Sequence, residues 1–336
     1  MSVVITAHRR GKPKISEYGK RGRRMEIMEF CKKVEKSLGI YIGDGASVSV
    51  KRIVKNNGIV LHSILITEKE MNISPNIYLN GLYEAYEKGE TFHQIMKEIL
   101  CIYEESRMSE SLDMGFFLDY GSMKEKVVYK LISYESNREL LQQVPYIPFL
   151  DMAIVFYCHV PGKELGSATI LIYDSHIKLW GITKEALYED AKRNTRRILP
   201  PRLLTIEEMM QEIFVQDLRQ ECGEEEWTSA AAGQKQVSPA GSSMYVLGNR
   251  KKLFGAAVIL YEGVLEELAE TLENSFFLLP SSIHETIAVP DNGMQKAEDL
   301  WKMVCEINAT QVEPEDVLTD SVYYFSRENK KLEKIF

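Results

Sequence analysis

"ASVSVKRIVKNNGIVLHSILI", residues 46–66, is the stretch that decides the fold class of this chain. Apolar and polar residues alternate on both sides of Asn57-Gly58, which is typical of two strands joined by a tight turn. Both central positions of the favoured two-residue turn need a positive φ, and Asn and Gly adopt it most easily. The stretch therefore predicts an antiparallel hairpin.

Two more strand pairs are predicted further along the chain. "FLDMAIVFYCHV" (149–160) is a nearly continuous apolar run, typical of a buried strand, and "GSATILIYDSHI" (166–177) is its expected hairpin partner. Strands are also predicted on both sides of the serines in "LPSSIHETIAVP" (279–290). A strand pair followed by helix thus occurs at 47–104, 150–197 and 275–308. This order predicts an α+β fold of antiparallel strand pairs, each followed by helices, in mixed sheet layers, and disfavours a doubly wound parallel sheet.

Helix starts are marked by two capping boxes, Thr91-x-x-Gln94 and Thr205-x-x-Glu208. The second predicts a helix over 206–219. Residues 110–143 are predicted to be further helix. The first helix of the fold is expected just after Met25, where hydrophobic periodicity begins, and Met25 is also an alternative start of the protein.

Composition divides the chain into predicted regions. Residues 1–24 lack hydrophobic periodicity, and the 220–243 stretch is acidic and then small and polar. The regions are a basic disordered tail (1–24), an N-terminal α+β region (25–145), a middle strand-pair-plus-helices region (146–219), a flexible linker or long loop (220–243) and a C-terminal α+β region (244–336). Whether 220–243 separates two domains or is an insertion in one sheet stays open at this level.

Several classes of protein are disfavoured by the residue content. No run of about 18 apolar residues is present, so no membrane-spanning helix is expected. Five scattered cysteines argue against a disulfide framework and a zinc site, and predict reduced thiols in a cytoplasm. The six histidines have no metal-ligand spacing, and no phosphate-binding or dinucleotide motif occurs, so neither a metal nor a cofactor is predicted.

The N-terminal tail is the most basic part of the sequence. Its cations are Arg9, Arg10, Lys12, Lys14, Lys20, Arg21, Arg23 and Arg24. With Glu17 the tail has a net charge of +7, which leaves −15 for the remainder of a chain whose total is −8. Such a tail predicts non-specific nucleic-acid binding that weakens with salt and is lost from a chain starting at Met25, unless the tail is only a solvated segment.

Ser281, Ser282, His284 and Glu285 lie within five positions, and the serines with His284 form the one local group with nucleophilic potential. Two positions apart on a strand, Ser282 and His284 lie about 6–7 Å from one another along the backbone, which is long for a hydrogen bond. No G-x-S-x-G motif surrounds either serine. A polar turn is therefore the favoured interpretation, and a hydrolase with a Ser-His pair at 281–284 is the alternative, which predicts labelling by a serine-reactive phosphonate.

Two other groups have both a structural and a functional interpretation. Cys158 and His159 are neighbours in a predicted strand and point to opposite faces, so a buried thiol and a hydrogen-bonded imidazole are expected. Tyr78, Tyr83 and Tyr86 are candidates for an interface, but their helical spacing favours packing in the core.

Six motifs, in this order, resemble the bacterial domain-of-unknown-function family DUF5688 and, more distantly, the family DUF1444. They are "NNGIVLHSILI", "NISPNIYLNGLYEAYEKG", "FLDMAIVFYCHV", "ATILIYDSHIKLWGIT", "LPSSIHETIAVP" and "INATQVEPEDVLTDSVYYFSR". The resemblance covers about 25–330 and leaves out the basic tail and the 220–243 stretch. It implies a bacterial, cytoplasmic protein, with a mobile-element origin as one option, and it brings no activity, cofactor or catalytic residue.

The leading hypothesis is an accessory protein that binds another protein and is not an enzyme. A large ordered body without a coherent catalytic group motivates it. The sequence leaves the partner and the oligomeric state open. Nucleic-acid binding through the tail and hydrolysis by a Ser-His pair are the two alternatives.

Overall fold

The fold is seen in a computed structural model that describes residues 3–7, 25–68, 73–106, 115–161, 167–222, 244–280 and 282–336. The chain forms two compact units, Met1–Leu118 and Asp119–Phe336. Within these residues the architecture is α+β, as the sequence predicts, with antiparallel strand pairs and helices packed on sheets.

The first unit contains one four-stranded sheet of order β1-β4-β3-β2. Its strands are β1 (Val3–Ala7), β2 (Ala46–Val54), β3 (Val60–Glu68) and β4 (Ile73–Tyr78). The predicted hairpin is confirmed: β2 and β3 pair antiparallel from Ala46↔Glu68 to Val54↔Val60. Its turn has positive φ at Asn57 (59°) and Gly58 (68°), the conformation that this residue pair tolerates best.

Four helices are formed by the described residues of this unit. They are α1 (Ile27–Ile42), α2 (Asn80–Glu87), α3 (Phe92–Ser106) and α4 (Gly115–Leu118). The α3 start has the predicted capping box, in which Thr91 N donates to Gln94 Oε1 (2.8 Å) and Gln94 N donates to Thr91 Oγ1 (3.3 Å). Apolar faces of α1, α2 and α3 meet the sheet in one core that includes Phe30, Ile64 and Ile99.

The second unit contains two sheets. The smaller one consists of β5 (Val127–Ser133), β6 (Tyr146–Phe149), β7 (Met152–Pro161) and β8 (Ser167–Leu171). The long strand β7 pairs with β5 along one edge and with β6 and then β8 along the other, all antiparallel. The predicted hairpin of β7 with the segment after it is confirmed. The partner strand ends at Leu171, and a helix follows from Asp174.

The larger sheet has the order β14-β13-β11-β12-β10-β9. Its strands are β9 (Pro201–Thr205), β10 (Tyr245–Asn249), β11 (Phe276–Leu279), β12 (Thr286–Pro290), β13 (Tyr323–Ser326) and β14 (Lys331–Lys334). Every pair in it is antiparallel. The two strands predicted around the 279–290 motif are β11 and β12.

Seven helices of the described residues complete the second unit. They are α5 (Tyr120–Met123), α6 (Arg138–Leu141), α7 (Asp174–Trp180), α8 (Lys184–Ile198), α9 (Ile206–Cys222), α10 (Val264–Leu272) and α11 (Ala297–Thr310). The capping box at Thr205 starts α9, because Glu208 N donates to Thr205 Oγ1 and Thr205 N donates to Glu208 Oε2. A buried 3₁₀ segment, Gly255–Leu260, packs against both β5 and β10 and so joins the two sheets.

Two expectations differ from the structure, and a third concerns residues outside the described part of the chain. The helix predicted over 110–143 is wrong for Val127–Ser133, which forms strand β5 because its apolar, partly β-branched residues pair with β7 along seven positions. Within the tail predicted to be disordered, Val3–Ala7 forms a strand parallel to β4. The basic residues Arg9 to Arg24 lie outside the described residues.

The predicted regional boundaries also differ. The units meet at Leu118 and Asp119, whereas a boundary after residue 145 separates β5 from β7, its partner. The strands on the two sides of 220–243 pair with each other, since β9 and β10 are neighbours in the larger sheet. That stretch therefore connects two strands of one sheet in a single compact unit.

Two buried threonines give a test of the core of this unit. Thr286 is fully buried and its hydroxyl has no hydrogen-bond partner among the described atoms. We expect Thr286→Val to raise the free energy of unfolding by about 1 kcal/mol, because it removes an unsatisfied buried hydroxyl while keeping the shape. Thermal and urea unfolding measure this.

Thr195 is the matched control, since it is equally buried but its hydroxyl is used. Tyr129 N donates to Thr195 Oγ1 (3.0 Å), and that oxygen donates to Ala191 O (2.6 Å). We expect Thr195→Val to lower the free energy of unfolding by about 1–3 kcal/mol, because it leaves the Tyr129 N–H unpaired. A loss of similar size in both variants would contradict the assignment of Thr286 as unsatisfied.

Candidate functional site: a cleft beside helix α9

The serine and histidine singled out in the sequence lie in the connection between β11 and β12. Ser282 forms an isolated bridge with Val317, and its Oγ accepts a hydrogen bond from His284 N at 3.0 Å. The Ser282 hydroxyl thus contacts the backbone of the histidine, as the polar-turn interpretation has it. Ser281 lies outside the described residues, so the hydrolase hypothesis stays a prediction for it.

His284 contacts three groups from other segments. Its Nε2 lies 3.4 Å from Asp316 Oδ1, and its ring stacks on Phe254 with centroids 6.2 Å apart. The carbonyl of His284 approaches Gly255 so closely that a Cβ there would lie 2.2 Å from it. The imidazole is therefore held in place by a carboxylate, an aromatic ring and a tight backbone contact.

A cleft lies between α9 and the first two strands of the larger sheet, and His284 is part of its wall. Its volume is about 90 Å³. The lining residues are Arg202, Leu204, Met209, Glu212, Ile213, Val246, Gly248, Asn249, Lys252, His284 and Glu285. Antiparallel pairing of Arg202 with Gly248 and of Leu204 with Val246 sets these residues on one sheet face, and α9 adds Met209 and Ile213. The sheet and the helix thus each contribute both apolar and charged side chains to the cleft.

The charged residues Arg202 and Lys252 of the cleft both lie next to Glu212. Arg202 holds this carboxylate with two guanidinium nitrogens, one of them at 3.1 Å, and Lys252 Nζ lies 3.9 Å from Glu212 Oε2. A two-point contact of this kind fixes the orientation of both side chains. It also ties α9 to β9 and to the loop after β10.

Glu285 lines this cleft, and its surroundings shift the pKa of its carboxyl. Burial raises the pKa of the Glu285 carboxyl above its ordinary value of 4.5, and the interactions with His284 and Lys252 act in the opposite direction. Desolvation outweighs them because a carboxylate loses more by leaving water than these partners return. The cleft thus contains a carboxyl that keeps its proton to higher pH than a free glutamate.

This raised pKa predicts a pH-dependent gain in stability for Glu285→Gln. The folded protein holds the Glu285 proton more tightly than the unfolded chain does, so stability falls as the pH rises above about 4.5. We expect the variant to be more stable than the parent chain by about 2 °C in Tm at pH 7 and equal to it near pH 4. Glu298→Gln is the control, because Lys302 lowers the pKa of that exposed carboxyl, and a matching gain there would contradict the prediction.

A second cluster of polar groups lies between the two sheets. Lys130 is buried, with Nζ 4.6 Å from the ring centroid of Tyr157 and 4.7 Å from that of Phe254. His159 is buried as well, and its Nε2 lies 3.5 Å from Lys251 Nζ. Burial and the Lys251 charge lower the pKa of His159 below its ordinary value of 6.5.

The Nδ1 atom of His159 is buried without a hydrogen-bond partner among the described atoms. The expectation of a hydrogen-bonded imidazole therefore holds for Nε2 only. Cys158 is buried as expected. Burial raises the pKa of the Cys158 thiol to about 12, which makes it unreactive at neutral pH.

The tyrosines considered for an interface pack in the first unit. Tyr83 and Tyr86 each place a ring centroid 5.4 Å from that of Phe30, and Tyr83 OH donates to Met25 O. Tyr78 lies under the ammonium of Lys55, at 4.7 Å. The core interpretation is confirmed for Tyr83 and Tyr86, since both are packed against the buried cluster of this unit.

Sequence reasoning singled out His284 and Glu285 and missed Arg202, Glu212 and Lys252. These residues are far apart in the chain, and only the pairing of β9 with β10 and the return of α9 bring them together. The one local signal was the Thr205 capping box, which fixes the start of α9 and hence which of its residues face the sheet.

Two other features are absent from the described residues. No group of three or more His, Cys, Asp or Glu side chains in this part of the chain is arranged to hold a metal ion. Among the described helices, none is both long enough and apolar enough to cross a membrane.

A model of the family of unknown function DUF5688 matches residues 27–327. The chain belongs to this family. The match includes both units, the cleft, and the 279–290 motif on which the resemblance was partly based. No curated protein and no solved structure matches the chain. Membership of DUF5688 assigns no activity to the chain, because the function of the family is unknown.

Proposed function

We propose that this DUF5688 chain is a cytoplasmic protein that binds another protein and is not itself an enzyme, and that α9 carries the binding surface. The observation that supports this is an exposed apolar stripe on that helix. Met210, Ile213 and Phe214 are 65%, 45% and 64% exposed. We call these three residues the α9 patch.

Helical spacing explains how the α9 patch is arranged. Met209 and Ile213 are four apart and line the cleft, and the exposed Met210 and Phe214 are four apart on the next stripe around the helix. Ile213, which is both exposed and part of the lining, connects the cleft to this stripe. Leu203, 37% exposed, is on the edge strand that precedes α9. Clustered large apolar side chains of this kind are typical of protein-binding surfaces.

The proposal is tested by capture of a partner with matched variants. Tagged full-length chain, its Met210→Glu/Phe214→Glu variant and a Met294→Glu control are used on extracts of the source organism. Met294 is 83% exposed on a loop of the same unit, so it controls for adding charge to an exposed methionine. We expect a stoichiometric protein partner with the parent chain and the control, and at least a tenfold loss with the patch variant.

Thermal unfolding of the same three proteins shows whether the variants stay folded. We expect equal Tm values, since exposed substitutions rarely change stability by more than about 0.5 kcal/mol. The same partner on all three proteins would place binding elsewhere. A parent chain that captures nothing and dimerises through the α9 patch in analytical ultracentrifugation would replace the proposal with self-association.

A further inference from the structure

The charges beside the α9 patch identify the kind of partner that fits it. Arg202, Arg250 and Lys252 surround an open concavity and the mouth of the cleft, together with Pro201 and Leu203. We call these three cations the basic rim. Three positive charges against the carboxylates of Glu212 and Glu285 leave a local charge of +1 when both carboxylates are ionised, on a chain whose net charge is −8.

Arg250 is the part of the basic rim that is open to a ligand. It is exposed, and no ion pair or side-chain hydrogen bond of its guanidinium is present among the described residues. Arg202 is oriented by Glu212, and Lys252 is 56% exposed. Guanidinium groups form two-point hydrogen bonds with carboxylates, so the rim is suited to Asp or Glu side chains.

The edge of the sheet next to this surface has few backbone donors for strand addition. Hydrogen bonds from Arg250 N to Pro200 O and from Ile206 N to Met244 O show that alternate residues of β9 point their backbone groups at β10. The outward set is Pro201, Leu203 and Thr205. Pro201 has no N–H, and Thr205 N already donates to Glu208 Oε2, which leaves Leu203 as the one outward donor.

A partner therefore binds here through side chains and not by extending the sheet. We propose that the α9 patch and the basic rim together bind an acidic amphipathic peptide segment of another protein, with its apolar face on Met210, Ile213 and Phe214 and its carboxylates on Arg250 and Lys252. This inference rests on the proposed function, and it adds the chemical class of the partner. Nucleic acid fits less well, because the patch offers one aromatic ring and two aliphatic side chains in place of a stacking surface.

Selection from a random 12-residue phage-displayed peptide library tests this inference. The full-length chain is compared with the Met210→Glu/Phe214→Glu variant and with Arg250→Glu/Lys252→Glu. We expect the parent chain to enrich peptides that combine Asp or Glu with large apolar residues. We expect the charge-reversed variant to enrich peptides with Lys or Arg in their place.

Synthetic copies of the enriched peptides give the quantitative result by fluorescence anisotropy. We expect at least tenfold weaker binding to Arg250→Glu/Lys252→Glu, and a clear loss of affinity between 50 and 300 mM salt, as for exposed ionic contacts. Enrichment without an acidic excess, or the same peptides for parent and charge-reversed chains, would overturn the partner class and leave the proposed function standing. Equal enrichment by the parent chain and the patch variant would overturn both.

Discussion

Gly255→Ala is expected to destabilise the second unit by about 3 kcal/mol or more, because overpacking against backbone atoms leaves little room for relaxation. A Cβ at this position would lie 2.2 Å from His284 O and 3.0 Å from both Asn249 N and Gly248 Cα. All three are main-chain atoms, so the contact cannot be relieved by rotating a side chain. The buried 3₁₀ segment would have to move away from the 282–285 turn, and it is this segment that joins the two sheets.

Gly248→Ala is the matched control for Gly255→Ala. A Cβ on Gly248 would meet His284 O at 3.6 Å and Glu285 Cβ at 3.8 Å, which are ordinary contact distances. We expect it to change the free energy of unfolding by about 1 kcal/mol or less. Urea unfolding of both variants, followed by tryptophan fluorescence and far-ultraviolet circular dichroism, gives the comparison. An equal loss of unfolding free energy in both variants would show that the close contact with the 282–285 turn is not the reason why position 255 requires glycine.

Asp151→Asn is expected to have the second large effect, a loss of about 3 kcal/mol. Asp151 precedes β7 in the smaller sheet, and its carboxylate accepts from groups of the C-terminal segment. Ser321 Oγ donates to it at 2.6 Å, Thr319 Oγ1 and Lys334 Nζ at 3.1 Å, and Tyr323 OH donates to its other oxygen. The Asp151 carboxylate thus connects the smaller sheet to β13, to β14 and to the segment before β13 in the larger sheet.

The pH dependence of this variant has a defined sign. Burial alone would raise the pKa of Asp151, but the hydrogen bonds from Ser321, Tyr323 and Lys334 lower it below its ordinary value of 3.8. A lowered carboxyl pKa adds stability that is present above the ordinary value and is lost as the pH falls through the folded value. We therefore expect the difference in free energy of unfolding between the parent chain and Asp151→Asn to be largest at pH 7 and to decrease below about pH 3.8.

Asp291→Asn is the control for Asp151→Asn. Its carboxylate accepts from one hydroxyl, that of Tyr324 at 2.9 Å, and from Gly293 N at 3.2 Å. We expect a loss of about 1 kcal/mol, in line with a single neutral donor at each oxygen. A loss at Asp151 no larger than this, or one that stays constant down to pH 3, would contradict its role as the link between the sheets.

The cleft and its surroundings show why a site of this kind is hard to read from one sequence. His284 stood out because serines are its neighbours, yet in the structure Ser282 bonds to the backbone and the imidazole faces Asp316 and Phe254. Glu285 stands next to His284 in the sequence, but its raised pKa comes from burial, which the sequence alone does not show. Perturbed groups of this sort depend on long-range packing that no periodicity encodes.

The sequence by itself determined the features whose causes are local. Asn57-Gly58 sets the first hairpin because these residues accept a positive φ, and Thr205 with Glu208 sets the start of α9 because the two side chains satisfy backbone N–H groups three residues apart. Continuous apolar runs predicted β7 in the same way. The α+β class and membership of DUF5688 follow from these features and from the order of the motifs.

Only the tertiary structure decided β5, the unit boundary and the composition of the cleft. Val127–Ser133 forms a strand because β7 supplies hydrogen bonds along seven positions and because the rings of Tyr157 and Phe254 accept the Lys130 ammonium. The two sides of 220–243 belong to one unit because β9 and β10 pair across that stretch. In each case the stabilising partner lies tens of residues away in the sequence. Its interactions stabilise the element only when the chain has folded, so no local pattern predicts them.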